Sequence, residues 1–99
     1  MKRKTEERLE MLLNRINHMM GRPEEGWRED ENGKAHQNKG HLALDTYAPG
    51  PRNPYHHKIV EFDENGIWDF SGHDRMTDAE CEAWLQGFLR ALDNVINDR

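Results

Sequence analysis

Residues 48–54, APGPRNP, carry three prolines and a glycine in seven positions. Proline fixes φ and removes a ladder donor, so no sheet interior can run through this segment. It must be a turn or an irregular loop, and it cuts the strongly β-patterned part of the chain in two. Before it, Leu42, Leu44 and Thr46 alternate with Ala43, Asp45 and Tyr47, the period-2 mark of a strand with one covered face. After it, residues 55–62 resume as strand and lead into the turn sequence Asp63-Glu64-Asn65-Gly66.

Facial consistency selects the register of that turn. A two-residue Asn-Gly turn would set Phe62 opposite Asp69, mixing apolar with polar. A type I turn with Gly66 in the left-handed region sets Phe62 opposite Trp68 and Val60 opposite Phe70. The second register collects four large apolar side chains on one face, and a slip of one residue would turn the set over. The expectation is that this face is the platform of the core.

Helical patterns flank the strands. Leu9, Leu12, Leu13, Ile16, Met19 and Met20 recur at spacings of three and four, which predicts an amphipathic helix over residues 5–20. Thr5 is its candidate N-cap, Glu6 and Glu7 suit the helix dipole, and Gly21 with Pro23 stops it. The Met19-Met20 pair is expected to fill core gaps. Near the C-terminus Thr77 and Glu80 fit a capping box. A wide stripe follows in Ala83, Trp84, Leu85, Phe88, Leu89, Leu92, Val95 and Ile96. Gly87 interrupts it at roughly 1 kcal/mol relative to Ala, which suggests a close backbone approach. Residues 22–39 are polar around Trp27, and Asp30-Glu31-Asn32-Gly33 predicts a loop or a short edge hairpin.

The expected architecture is one α+β domain: a small antiparallel sheet of three to four strands, flanked by an N-terminal and a C-terminal helix packed on one face. Ninety-nine residues suffice for one modest core. Apolar residues make up only 34% and charged ones 33%, but three Trp, three Phe and two Tyr supply large burial units, so a folded chain is expected. The last helix's stripe exceeds what one sheet and one short helix can cover. A homodimer through that helix follows as an expectation.

Charge and sequence runs exclude several classes. A net charge of −5 opposes a sequence-independent grip on nucleic acid, which needs Lys and Arg on phosphates. The acidic residues are scattered, without the long carboxylate run of a nucleic-acid mimic. One cysteine, Cys81, rules out an intramolecular disulfide and fits a reducing compartment. No apolar run approaches the roughly 20 residues of a membrane span, and MKRKTEERLEMLL lacks the apolar region of a signal peptide. A cytoplasmic setting is the expectation.

No motif carries diagnostic chemistry. His36, His41, His56 and His57 lie in the central segment and His73 just after it, but their spacing matches no helix-borne HExxH and no Cys-containing finger. His56 and His57 must point to opposite faces of their strand. Asp45 with His57, or His73 with Asp74, could pair carboxylate with imidazole. Cys81 stands in the first turns of a helix, where a dipole can lower a thiol pKa, but a lone thiol is more often a small packing residue. No GxSxG, Cys–His signature or glycine-rich phosphate loop is present. No cofactor, metal or catalytic residue is assigned. The candidate ligand-binding set is Asn38, His41, Asp45, Tyr47, Arg52, Tyr55 and His57, polar and aromatic groups around the proline-rich loop. The competing reading is that such residues merely cap the end of a sheet.

The run LNRINHMMGRPEEGWREDENGKAHQNKGHLALD, with DENGIWDF and RMTDAECEAWLQGFLRAL, resembles a group of small phage and prophage proteins of unassigned function. In that group a helix ends in a T-G-x-P-like turn, then come Trp, a D-E-N-G-K-like turn, an N-x-G-H/N-Y-x-L strand and a final R-x-T-K-R-E-L-Y-like helix. The matching residues are Gly21, Pro23, Trp27, Asn32, Gly33, Lys34, Asn38, Gly40, Leu42, Leu44, Arg75 and Thr77. The chain departs where the group has Tyr-Gly-Gly: here Tyr47 is followed by Ala48, Pro49, Gly50 and Pro51. The resemblance implies a phage or prophage origin and a host cytoplasm, and it brings no activity. The leading expectation is a non-enzymatic accessory protein that binds a host or phage protein. A small-ligand binder of nucleotide-like specificity, using residues 45–57, is the alternative, and a metal-dependent hydrolase the second.

Overall fold

The computed structural model describes residues 2–48, 50, 54–72 and 74–97. Helix α1 (Lys4–Met19) leads through a small hairpin, β1 (Trp27–Glu29) and β2 (Ala35–Gln37), to a three-stranded sheet. The sheet holds β3 (Leu42–Tyr47), β4 (His56–Phe62) and β5 (Ile67–Asp69) in that spatial order, all antiparallel, and α2 (Asp78–Asn97) closes the chain. The class is α+β, and the hairpin forms a separate two-stranded sheet rather than an edge of the main one.

Helix α1 ends as its sequence requires. Gly21 takes φ +69°, its N–H bonds the His18 carbonyl, and the Arg22 N–H bonds the Asn17 carbonyl at 2.8 Å. This is the paired closure that a left-handed glycine permits. The start differs from expectation: the N-cap is Arg3 and no side chain caps it, so Thr5 lies inside the helix. Arg3 instead sends its guanidinium to Glu6 and Asp78. At α2 the capping box forms as expected, Thr77 N–H to Glu80 Oε1 at 2.9 Å and Glu80 N–H to Thr77 Oγ1 at 3.2 Å.

The β4–β5 register is corrected by one residue. Phe62 pairs with Ile67, Glu61 with Trp68 and Val60 with Asp69. The turn closes from the Asp63 N–H to the Gly66 carbonyl, and Gly66 is not among the glycines of positive φ. The type I turn with a left-handed glycine occurs in the first hairpin instead. There Gly33 has φ +79°, and Asp30 Oδ1 accepts from the amides of Asn32 and Lys34. Tertiary packing explains the shift: Phe70 comes opposite Ile59, its N–H on the Ile59 carbonyl, and its ring meets Trp84 and Phe88 of α2 at 6.3 and 5.9 Å. The register that buries Phe70 against α2 prevails over the one that matches apolar residues across the ladder.

On β4 the face turned to the helices is therefore the opposite one to that expected, while Phe70 of the expected set does pack against the core and Val60 is buried on the far face. Leu42 and Ile59 point at the helices and join Leu9, Leu13, Ile16, Cys81, Leu85 and Leu89 in one buried cluster. Trp84 stacks on Phe88 at 5.2 Å, and both flank that cluster with Leu92 and Met19. Most of the α2 stripe is thus used within the domain. Met20 is exposed, not core filler. On the other face Phe62 meets Trp27 edge-on at 6.2 Å, and Gly26 approaches so closely that a Cβ there would sit 2.8 Å from the Phe62 ring.

Asn17 ties α1 to the sheet. It is 1% exposed, and its carboxamide bonds the main chain of Leu42 twice: Leu42 N–H to Oδ1 at 2.9 Å and Nδ2–H to the Leu42 carbonyl at 3.0 Å. This is the pattern a neighbouring strand would supply.

Two stability outcomes follow. A Cβ at Gly87 would meet nothing within 4 Å and its φ is not positive, so no close approach holds that glycine. Gly87→Ala should raise stability by about 0.5–1 kcal/mol in chemical denaturation. Asn17→Ala strands two buried main-chain groups and should lower it by about 1–3 kcal/mol, read as a drop in melting temperature.

Candidate functional site

A polar chain centred on the buried His57 crosses the wide end of the domain. His57 is the second residue of β4 and, by the period of the strand, points at the helices, where it is 0% exposed. Its Nδ1 lies 2.9 Å from Thr46 Oγ1, on the paired position of β3. Its Nε2 lies 2.6 Å from Asp78 Oδ1, at the first turn of α2. Asp78 in turn accepts from both terminal nitrogens of Arg3, each at 3.1 Å. Arg3 also stands over the Tyr55 ring, 3.4 Å from its centroid. The His57 main chain bridges Met76 in both directions, at 2.7 and 2.6 Å. The carboxylate fixes Nε2 as a donor, which leaves Nδ1 of a neutral ring to accept the Thr46 hydroxyl.

Hydroxyl, imidazole and carboxylate in sequence invite comparison with a nucleophilic relay. Two features oppose that role. The imidazole is out of reach of any substrate, and Arg3 neutralises the carboxylate that would have to stabilise an imidazolium. The arrangement instead joins β3, β4, α2 and the start of α1. It also shifts one proton equilibrium: the Arg3 hydrogen bond holds the Asp78 carboxyl below its ordinary value of 3.8, and the His57 bond adds to this against the effect of burial.

The candidate ligand set does not converge. Asn38 holds the hairpin, its N–H on the Gly26 carbonyl and its Nδ2 on the Glu25 carbonyl. His41 Nδ1 donates to the Pro23 carbonyl at 2.9 Å, and its ring lies 5.2 Å from Phe62. Six residues along β3, about 20 Å away at the usual strand rise, Tyr47 stands under the guanidinium of Arg75. Asp45 pairs with Arg75 at 3.1 Å on the face opposite His57, so the expected Asp45–His57 pair is not formed. Tyr55 is engaged with Arg3. Arg52, and His73 of the other expected pair, lie outside the described residues.

Cys81 is buried in the core, which pushes its thiol up to about 11, with Asp78 adding to the effect. The helix-terminus argument for a reactive thiol gives way to desolvation. Among the described residues no three His, Cys, Asp or Glu side chains converge as a metal ion would require. No helix is long and apolar enough to cross a membrane.

A cleft lies elsewhere, between α1 and β3. It encloses about 630 Å³ and is lined on the helix side by Glu7, Glu10, Met11, Asn14 and Asn17 and on the strand side by residues 41–44, with Lys2 and Glu24 at its rim. Of the candidate set only His41 reaches it. The helix residues were passed over because they fall on the polar side of the stripe. Asn17 did leave a signal: an amide on the apolar face beside Ile16 needs a buried partner. Comparison with family models, with curated proteins and with solved structures returns no match.

The Asp78 linkage has a definite sign. A carboxyl with a lowered folded pKa contributes stability above its unfolded value, and that contribution is lost as pH falls through the folded one. Wild-type stability to urea should therefore fall as pH drops below the ordinary carboxyl value of 3.8. Asp78→Asn, less stable at neutral pH, should show a flatter profile over that range; an equally steep one would remove Asp78 as its cause.

Proposed function

We propose that this chain is a non-enzymatic protein-binding module, an accessory protein of phage or prophage type whose partner is a protein of the phage or its host. The observation that supports it is a surface aromatic cluster. Trp27 is 55% exposed with its ring against Phe62, and Phe62 pairs across the ladder with Ile67, itself 57% exposed. Tryptophan with half its surface in water, braced by a second ring and rimmed by polar residues, is the composition of an interface anchor. Accessory status and phage origin draw on the sequence resemblance, and the host cytoplasm follows from the same source.

A homodimer through α2 is the second reading, favoured by Val95 and Ile96, which are 66% and 45% exposed at the end of that helix. Light scattering at high protein concentration separates the two: a monomer removes the dimer and leaves the heterologous partner.

The main test is affinity capture from host lysate with wild type and Trp27→Ala side by side. An anchoring Trp contributes on the order of 2 kcal/mol or more, so the variant should lose the captured protein while keeping its melting temperature. A protein retained equally by both would sink the proposed surface.

A further inference from the structure

The cleft beside α1 has one wall of a special kind, the outer edge of β3. Strand β3 ends the order β3–β4–β5, and among the described residues no strand lies on its other side. In an antiparallel ladder the N–H and C=O of one residue point the same way, and the direction alternates along the strand. Leu42 gives both groups to Asn17, so its main chain points out of the sheet. Leu44 and Thr46, two and four residues on, share that direction. Among the described residues no loop or side chain takes their main-chain groups. Asn17 shows what this edge accepts: an amide presented in the two-bond pattern of a neighbouring strand.

The facing wall is acidic. Glu7, Glu10 and Glu24 line the cleft, and its one formal cation, Lys2, is held by Glu10 at 2.7 Å. Among the described residues Glu7 has no ion pair. Met11, 63% exposed, supplies an apolar floor beside them. The whole chain carries −5, so a second copy brought edge to edge would meet its own charge sign.

We propose that the free edge of β3 binds an extended, basic segment of a partner protein as an added strand. Main-chain bonds to Leu44 and Thr46 hold the segment. Alternate Lys or Arg side chains on the α1 side reach Glu7, Glu10 and Glu24, while the intervening side chains face away. This is strand addition, in which backbone pairing gives affinity and side-chain alternation gives selectivity. The inference names a partner class within the protein-binding reading, but it uses a surface separate from Trp27.

The probe is a fluorescein-labelled hexapeptide of alternating Lys and Val, titrated into the full chain and followed by fluorescence anisotropy. Saturable binding should weaken as salt rises. It should weaken about tenfold in the Glu7→Gln/Glu10→Gln/Glu24→Gln variant, whose fold circular dichroism verifies. Methylating alternate peptide nitrogens should abolish it, and amide NMR shifts should centre on residues 42–46. Any of three results overturns the proposal: no binding up to about 1 mM, equal affinity for the alternating Glu–Val peptide, or shifts centred on Trp27. A chain dimer that the peptide dissociates also overturns it, assigning the edge to a second copy. Trp27→Ala should bind the peptide as wild type does. If the peptide fails while lysate capture still depends on Trp27, this inference falls and the protein-binding reading stands.

Discussion

The fold depends on the contact between Asp78 and His57. Asp78 opens α2, His57 is the buried centre of the sheet's wide end, and Arg3 and Thr46 complete the coordination of the pair. The apolar cluster is small, eight buried side chains among the described residues, one of them Cys81. Each such side chain is worth about 1.5–3 kcal/mol, and most of the sum is cancelled by the entropy of ordering the chain. A core of that size can accept two helices at more than one angle. The polar chain restricts the choice, because a buried imidazole left without its carboxylate or hydroxyl costs more than the bonds gain. Geometry here is set by polar satisfaction, and the apolar contacts are then arranged around it.

Asn17 does at the sheet's narrow end what His57 does at the wide one. Its carboxamide stands in for a strand at Leu42, and Arg22, one turn past the helix, reaches the Gly40 carbonyl at 2.9 Å and Glu61 at 2.6 Å. The left-handed closure at Gly21 aims Arg22 at that corner. A helix stop that sequence alone predicts thus positions a cation that sequence alone does not. The cleft opens beside this end, with Asn17 and residues 41–44 in its lining.

Most local signals of the sequence were readable, the Thr5 cap and the left-handed Gly66 excepted, and long-range ones were not. The alternation of residues 42–47, the stop at Gly21 and the capping box at Thr77 each depend on neighbours within four residues, and each is realised. The β4–β5 register failed because cross-strand apolar matching ignores α2: Phe70 is drawn to Trp84 and Phe88, which are distant in sequence. With it the face of β4 was inverted relative to β5, since a slip of one residue exchanges faces, while Phe70 kept its place against the helices. The candidate ligand set suffered likewise. His41, Asp45, Tyr47 and His57 are near in sequence, yet strand geometry puts them on two faces and about 20 Å apart at the extremes. The groups that do meet, Arg3 with Asp78 and Thr46 with His57, are joined only by the folded topology.

The two edges of the sheet are treated differently, and the difference bears on function. At the β5 side the chain folds back: Ser71 Oγ accepts the Ile59 N–H, and Met76 bridges His57 beyond the last residue of the short strand. Every outward group of β4 that β5 leaves open is met in this way at Ile59 and His57. At the β3 side, among the described residues, only Leu42 is met. An open edge invites pairing with any extended chain, and proteins usually blunt it with charge or cover. Here the charge is present but stands on α1, across the cleft of about 630 Å³. Carboxylates in that position deter other acidic chains, including copies of this one, and leave the edge open to basic ones. Under the proposed strand addition the same side chains would oppose edge-to-edge pairing of two copies and favour a basic segment.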